Sequence, residues 1–475
     1  MYDLVIIGAG ITGTMLARKL SAFKLKAVLI DRENDIANEA TMANSAIVHT
    51  GYDPEEGTLK GLLNVRGARQ YEQICRDLHC GYKLTGAYVA ACGEEEEKVQ
   101  DELAERAEKR GIAYEWLSGD EARTHEPNLS KHVTRVLSFP ETAVVYPWEV
   151  AIACAEVAVN NGTELRLNET VCAIDRTDSG WCVKTDKGEY ETKIVINAAG
   201  VAADKIYGMV GDHPSFTMTP KKGEYFVIDN DVHYTDHIIY PVPTAKGKGV
   251  LAVPTVYGNT LLGPNSERVE DPDERGCTFA GLDYVRENLV KIMRNPPFNK
   301  TIRNFAGLRP SSSCSDFIIE EAPDAENFIN VASIESPGLA SAPAVADYVI
   351  EELLKDKLTW DKNPDARMDR EAPVVMAKLS EEEKKAKIAE NPLYGKIICR
   401  CEQISEGEIV DCIRRTCGAR SVKGVKKRVR PGMGRCQGGF CEPRVLNILA
   451  RELNCSPLDV VLDSPASRIL EKENR

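Results

Sequence analysis

Two groups of residues have the types and spacing to do chemistry, and they lie at opposite ends of the chain. Near the C-terminus, Cys399-Arg-Cys401 is followed after 34 residues by Cys436-Gln-Gly-Gly-Phe-Cys441. Four thiolates in two close pairs make a metal site, either structural zinc or an iron–sulfur cluster. Near the N-terminus, Gly8, Gly10 and Gly13 fall in the G-x-G-x-x-G spacing. An apolar run over residues 4–7 precedes them, Met15, Leu16 and Leu20 follow at helical spacing, and residues 26–30 read as a second strand ending at Asp31. In such a βαβ unit Gly8 permits the tight turn, Gly10 lets a pyrophosphate approach the backbone, and Gly13 lets helix and strand pack closely. The helix N-terminus offers N–H donors and partial positive charge to phosphates. Asp31 is placed to accept from ribose hydroxyls. The motif indicates a dinucleotide and does not by itself separate FAD from NAD.

The rest of the chain must position these groups. Its 475 residues suffice for two or three domains, and 43% hydrophobic with 28% charged residues reads as soluble and globular. A net charge of −13 argues against general nucleic-acid binding. No apolar run approaches the ~20 residues that span a bilayer, and the chain opens directly on a strand rather than on a signal peptide. We therefore expect a cytoplasmic protein, whose 15 cysteines serve metal binding or catalysis rather than disulfides.

In chain order, a helix is expected through Tyr71 and Cys75, and the charged stretch 94–125 reads as a solvated helix. A helix over 149–159 is followed by short strands over 164–167, 170–174 and 181–184, then by the apolar strand 193–200. Residues 220–301 are strand-rich, with turn signals at Gly247, Gly249, Gly258 and Asn259, and read as an antiparallel sheet forming a substrate domain. A helix is expected over 344–354. Residues 357–393 carry several prolines and the run Glu381-Glu-Glu-Lys-Lys-Ala-Lys387, which suggests a linker with one exposed helix. Beyond it, Ser405 is a plausible N-cap with Glu408 at the capping-box position, Gly418 is the stop, and a second helix follows Cys441. Cys412, Cys417 and Cys455 read as buried small hydrophobes. Residues 396–459 hold 13 Lys and Arg against 7 Asp and Glu, a net of +6 in an acidic chain. The basic run 423–430 could collar an anionic cluster, or dock the module on its own body or on a partner. Without interleaved aromatics it is a poor nucleic-acid patch.

Several segments resemble one family. They are Asn44-Ser-Ala-Ile-Val-His49-Thr-Gly51, the Asn197-Ala-Ala-Gly200 ending, Phe305-Ala-Gly-Leu-Arg309-Pro310 and Ile334-Glu-Ser-Pro-Gly-Leu-Ala-Ser341. Over about residues 1–360 the chain resembles FAD-dependent oxidoreductases of the D-amino-acid-oxidase superfamily. Within it, the chain is similar to glycerol-3-phosphate dehydrogenases and L-2-hydroxyglutarate dehydrogenases. Lys222-Gly-Glu-Tyr225, Tyr240-Pro-Val-Pro243 and Gly263-Pro-Asn-Ser266 resemble the hydroxyglutarate branch. The resemblance implies an α/β fold, a Rossmann-like FAD-binding domain (about 1–80, 145–215 and 302–360) interleaved with an antiparallel-sheet α+β substrate domain (about 81–144 and 216–301). It also implies FAD contacts from Gly8, Gly10, Ile11, Thr12, Gly13, Asp31, Arg32, Thr41, Asn44, Ser45, Ala46, Val171, Ala199, Gly200, Gly307, Gly338, Leu339 and Ala340. Residues 334–341 would lead into a helix whose N-terminus faces the negative charge of a reduced flavin. Arg309 would grip the anionic part of the substrate, for which a planar, permanently charged fork is suited. His49 is the candidate base, because its unperturbed pKa suits the task; it could equally be a flavin contact only.

After a linker over 361–395, the tail 396–475 is similar to the small helical [2Fe–2S] domain of bacterioferritin-associated ferredoxin. Versions fused to dehydrogenases share the Cys-Arg-Cys-Glu opening and the Gly432-Met-Gly-Arg-Cys-Gln-Gly438 run. The second cysteine pair is spaced by four residues rather than the ferredoxin's two, as in the fused versions. The resemblance implies a cluster on Cys399, Cys401, Cys436 and Cys441. Together these expectations describe a dehydrogenase that oxidises sn-glycerol 3-phosphate, a small anionic substrate, to dihydroxyacetone phosphate. Electrons would pass through the cluster to a second flavoprotein subunit, with at most peripheral membrane association through partners. L-2-hydroxyglutarate, or an amino acid or amine, are the alternative substrates. Outside the enzymes, a redox- or iron-responsive flavin and Fe–S binding protein is the alternative, against which intact Arg309 and His49 speak.

Overall fold

The computed structural model describes residues 1–211, 214–244 and 249–472; Gly247 and residues 473–475 lie outside them. Strand Tyr2–Ile7 is apolar on both faces because both are covered. It pairs in parallel with Ala27–Ile30 on one side and Glu189–Asn197 on the other. Phe328–Ala332 continues the parallel order beside the end of Glu189–Asn197, and Glu164–Arg166 closes the far edge. With a meander of Val171–Thr177 and Gly180–Thr185 and the returning strand Ile318–Glu321, the sheet counts eight strands. Leu4, Ile6 and Leu29 face helices Ile11–Leu20, Pro147–Asn160 and Gly338–Tyr348; Val5, Ile7, Val28 and Ile30 face Val171, Tyr207 and Phe328.

The turn after the first strand exists because two glycines meet. Gly8 has φ +109°, and a Cβ on it would stand 2.3 Å from the Ala198 carbonyl oxygen. A Cβ on Gly13 would stand 1.9 Å from the carbonyl oxygen of Gly8 itself. The helix therefore lies flat against the turn that launches it.

The helix expected over 344–354 begins six residues earlier, at Gly338, and ends in a π-helical turn, Val349–Leu353. Pro343 sits inside it and leaves the carbonyl of Leu339 without its usual helical donor. The hydroxyl of Tyr71 donates to that carbonyl at 2.5 Å, so a side chain replaces the missing backbone bond.

Among the described residues the second sheet has nine strands, and Lys221–Ile228, near one edge, pairs with three of them. It draws on Ala87–Ala91, Glu115–Ser118 and Arg135–Phe139 as well as on the 220–301 region. Strand Thr301–Arg309 pairs along the whole of Lys221–Ile228, so the division drawn at about residue 302 separates a strand from the sheet it belongs to. The charged stretch 94–125 holds two helices, Glu94–Lys109 and Gly119–His125, with a strand between them rather than one continuous solvated helix. Glu115–Ser118 is an edge strand whose largely exposed residues hide any alternation, and the Arg135 guanidinium covers the Trp116 ring at 4.3 Å. The two sheets touch where Gly307 meets the loop after Thr41: a Cβ there would fall 1.9 Å from the Ala43 carbonyl oxygen.

The linker is pinned rather than loose. Asn363 donates to the Ala22 carbonyl at 2.9 Å, and Arg370 bridges Glu156 (3.0 Å) and the Leu78 carbonyl (2.5 Å). Its helix Glu381–Glu390 is capped by Ser380 and has no buried residue. The C-terminal module packs Glu406–Arg414, Val422–Val429 and Glu442–Leu453 around Ile409, Val425, Val445 and Leu449, with the Ser405–Glu408 capping box in place.

Gly→Ala inside a helix ordinarily stabilises by about 1 kcal/mol. Gly13→Ala is expected to do the reverse, because backbone must move to admit the methyl: destabilisation of about 3 kcal/mol in urea unfolding, with loss of bound flavin on purification.

Candidate active site

A single cavity of about 1090 Å³ runs between the two sheets, from Asp31 and Glu169 at one end to Lys221 and Arg309 at the other. Every residue that the sequence nominated for cofactor or substrate lines it except Gly13 and Ala340. Those two stand behind the wall. Gly13 seats the helix on the turn, and the Ala340 carbonyl is where Gly67 of helix Leu59–Ala68 makes its closest approach. Both shape the cavity without facing it.

Several wall residues are already engaged. The Asp31 carboxylate, expected as a ribose acceptor, accepts the N–H groups of Ala9 (2.6 Å) and Glu33 (2.8 Å), which fastens the glycine turn to the end of the second strand. Burial pushes its pKa up despite these donors. The Thr41 hydroxyl accepts from the Ile11 N–H at 2.9 Å and caps the first helix from outside. Asn44 donates to the Ala40 and Thr41 carbonyls, both at 3.0 Å, and accepts from the Ala46 N–H at 2.7 Å. That bracket holds Ala46 at φ +63°, a conformation rare for a residue with a Cβ, on the cavity wall. Ser45 shares a hydrogen bond with the Tyr225 hydroxyl at 3.1 Å, and Tyr225 stacks on Phe305 at 4.6 Å.

His49 is buried, with its carbonyl accepting from Asn64 at 2.7 Å and Nδ1 3.1 Å from the Tyr240 hydroxyl. Burial raises the Tyr240 phenol well above its ordinary pKa, so the hydroxyl stays neutral. When Nδ1–H donates to Tyr240, the ring is neutral and Nε2 is its acceptor nitrogen, the form a base requires.

At the far end Arg309 lies against Gly223 and donates Nη2–H to the Asn265 carbonyl at 3.2 Å. Its Nη1 is buried with no hydrogen-bond partner among the described residues. Strand register places Lys221 opposite Arg309 on one side and opposite Arg268 on the other. Three cations thus share one row on the cavity wall. The carboxylate at this end, Glu335, is bound by Lys60 at 2.9 Å and by Ser311; burial would raise its pKa, and these partners hold it low. Lys221, Arg268, Tyr225 and Tyr240 were not foreseen as site residues. Lys221, Arg268 and Tyr225 reach the cavity through pairing between distant strands, and Tyr240 stands behind the wall against His49; the local signals were the segments 222–225, 240–243 and 263–266.

The four C-terminal cysteines form two pairs. Cys401 and Cys436 sulfurs stand 4.0 Å apart, and Cys399 is hydrogen-bonded to Cys441. Cys441 and the N–H groups of Gly432, Glu402 and Cys401 hold the Cys399 thiol down to about 6 against its burial. A Cβ on Gly434 would come within 2.4 Å of the Cys401 Cβ. Among the described residues these thiols gather in pairs and no three of them close on one point, but amides aimed at sulfur, crowding that demands glycine and an all-thiol donor set suit a two-iron cluster. The module sits on the chain's own body, one of the placements left open for the basic run. Arg430 bonds the Tyr146 hydroxyl at 2.7 Å and lies 3.8 Å over the Tyr257 ring; Arg435 holds Asp229 and Asp231. Tyr146 is one residue beyond Val145, whose N–H donates to the Ala46 carbonyl at 3.0 Å on the cavity wall. Among the described residues no helix is long and apolar enough to cross a membrane.

Residues 3–352 match the family described as FAD dependent oxidoreductase, and residues 397–451 match the BFD-like [2Fe-2S] binding domain. The chain is 43% identical over 472 residues to a glycerol 3-phosphate dehydrogenase of Caloramator mitchellensis, covering 99% of this chain and 98% of that one. It is 24% identical to anaerobic glycerol-3-phosphate dehydrogenase subunit A1 of Haloferax volcanii, covering 97% and 85%. Among solved structures it is similar to the dithionite-reduced L-α-glycerophosphate oxidase of Mycoplasma pneumoniae with FAD bound. The TM-score is 0.74 at 26% identity, over 79% of this chain and 99% of that one. The chain belongs to the FAD-dependent oxidoreductase family and carries at its C-terminal end a BFD-like [2Fe–2S]-binding domain.

Proposed function

We propose that the chain oxidises sn-glycerol 3-phosphate to dihydroxyacetone phosphate. The observation that carries the reading is the row of Arg268, Lys221 and Arg309 on the cavity wall, with one Arg309 nitrogen that has no hydrogen-bond partner among the described residues. A phosphate dianion presents three acceptor oxygens and two charges, and a row of three cations meets it better than it meets a single carboxylate. The likeness to glycerol 3-phosphate dehydrogenases and oxidases supports the same substrate.

The FAD pyrophosphate would lie along Gly8, Gly10 and Thr12, the ribose beside Asp31, and the ring against Ser45, Ala46, Gly338 and Leu339. FAD supplies the two-electron acceptor, and the [2Fe–2S] cluster supplies a one-electron outlet toward a second flavoprotein subunit. The chain's own residues do the rest. The cation row anchors the phosphate and so fixes the distance of the secondary hydroxyl from the ring. His49, oriented by Tyr240, takes the hydroxyl proton at Nε2. The buried Tyr225 ring, stacked on the partly buried Phe305, keeps water from that side. The likeness to a protein described as a subunit supports a multi-subunit assembly, and we place that assembly in the cytoplasm.

L-2-hydroxyglutarate is the second reading. It is favoured by 30% identity over 272 residues to an L-2-hydroxyglutarate dehydrogenase of Escherichia coli, covering 56% of this chain and 64% of that one. Steady-state kinetics with an artificial acceptor separate the two. We expect kcat/KM for glycerol 3-phosphate to exceed that for L-2-hydroxyglutarate by at least about 100-fold. Lys221→Ala and Arg268→Ala should each raise KM for the phosphate by about 10- to 100-fold, as loss of a charge-assisted hydrogen bond would, with kcat changed far less. A preference for hydroxyglutarate, or an unmoved KM, would refute the reading. Tyr240→Phe removes the acceptor that stabilises protonated His49. It should lower kcat and shift the acid limb of the pH profile to lower pH; an unshifted limb would remove His49 as the base.

A further inference from the structure

The helix Val422–Val429 of the C-terminal module reaches across to the loop that follows the second strand of the nucleotide fold. Arg428 grips Asp35 with two nitrogens, both at 2.8 Å. Lys427 donates to the Ile36 carbonyl at 2.6 Å and to Asn38 at 2.7 Å, and lies 3.0 Å from Asp35. Asn34 and Asn38 also bond Asp463 at the end of the module, and Trp148 donates to the Lys427 carbonyl at 3.1 Å. Asp35 and Lys427 are each no more than 5% exposed, so this is a dry ionic contact in which losing one partner strands another.

What the clamp holds is the phosphate-binding turn. Between Asp35 and Asn38, the Ala37 N–H donates to the Ala9 carbonyl at 3.0 Å, while the Ala9 N–H is taken by Asp31. Ala9 lies between Gly8 and Gly10. The clamp is therefore one hydrogen bond removed from the glycine turn.

The helix that makes the clamp depends in turn on the metal site. It has eight residues, too few to persist alone. It leads through Arg430, Pro431 and Gly432 into the loop of Cys436 and Cys441, and the Gly432 N–H already serves the Cys399 sulfur. The module's apolar core is small, and small domains of this kind draw folding free energy from their metal.

We infer that the Asp35–Arg428–Lys427 clamp makes retention of FAD contingent on an assembled [2Fe–2S] module. Loss of the cluster loosens helix 422–429, the 34–38 loop follows, and the turn that holds the pyrophosphate loses its outer support. Such coupling is reciprocal in binding free energy, so removal of FAD also weakens the hold on the cluster. The device has a use: a chain stripped of its electron outlet would shed its flavin rather than leak electrons to oxygen.

The test uses the full-length, doubly loaded wild type. Its cluster is bleached with EDTA and ferricyanide, and FAD dissociation is followed by the fluorescence of released flavin. Dissociation should quicken at least tenfold on bleaching and return to its starting rate after reconstitution with iron and sulfide. Asp35→Asn should show the same acceleration with its cluster absorbance intact, and bleaching that variant should add less than threefold more. FAD held equally tightly before and after complete bleaching would overturn the inference. So would a wild-type rate in Asp35→Asn, or a full tenfold further effect of bleaching in it. If Asp35→Asn does not fold, the wild-type bleaching and reconstitution arm decides alone. None of these readouts involves the substrate.

Discussion

The structure depends on the contact between two glycines. The carbonyl of Gly8 occupies the space where any side chain at Gly13 would stand, so the first helix lies directly on the turn that precedes it. That contact aims the helix N-terminus at the cavity, and the surroundings are built to keep it so. The Ala198 carbonyl closes over Gly8 from the returning strand, Asp31 ties down Ala9, and Thr41 caps Ile11. A turn with this little tolerance is suited to a diphosphate, which needs backbone N–H groups close by and no side chain in the way.

The second sheet meets this core at the loop of Ala43, and the meeting again requires a glycine. Gly307 lets strand Thr301–Arg309 pass the Ala43 carbonyl, which brings Arg309 and its neighbours to the far end of the cavity where the nucleotide fold reaches the opposite end. The cavity is therefore polarised. One end is made of backbone N–H groups and an acid, and the other of three cations in register. The strained Ala46 and its bracket of Asn44 hydrogen bonds stand on the wall between them. The cysteine module docks behind that stretch, through Arg430, Tyr146 and Tyr257, and grips the nucleotide loop through Asp35.

Much of this was legible in the sequence wherever the physics is local. The G-x-G-x-x-G turn, the two cysteine pairs and the Ser405–Glu408 box each lie within a few residues or carry their own spacing. The linker helix announced itself by charge. What lies in tertiary register was not legible. Lys221 and Arg268 are 47 residues apart, and only the pairing of their strands sets them beside Arg309. Pro343 disguised the start of its helix, because nothing in the local sequence shows that Tyr71 supplies the donor that proline lacks. The strand Glu115–Ser118 was hidden for a different reason: an edge strand with wet faces shows no alternation. Asp31 and Asn44 were read as ligand contacts, and both first hold the loop that carries them.

The central claim is that one substrate serves two redox centres carried on one chain. Anaerobic addition of sn-glycerol 3-phosphate to the purified protein, followed in parallel by absorbance and by EPR, tests it most directly. The account requires the oxidised flavin bands to bleach and the signal of a reduced [2Fe–2S] cluster to appear from the same addition. Unbleached flavin, or bleached flavin beside a cluster that stays EPR-silent, would contradict it.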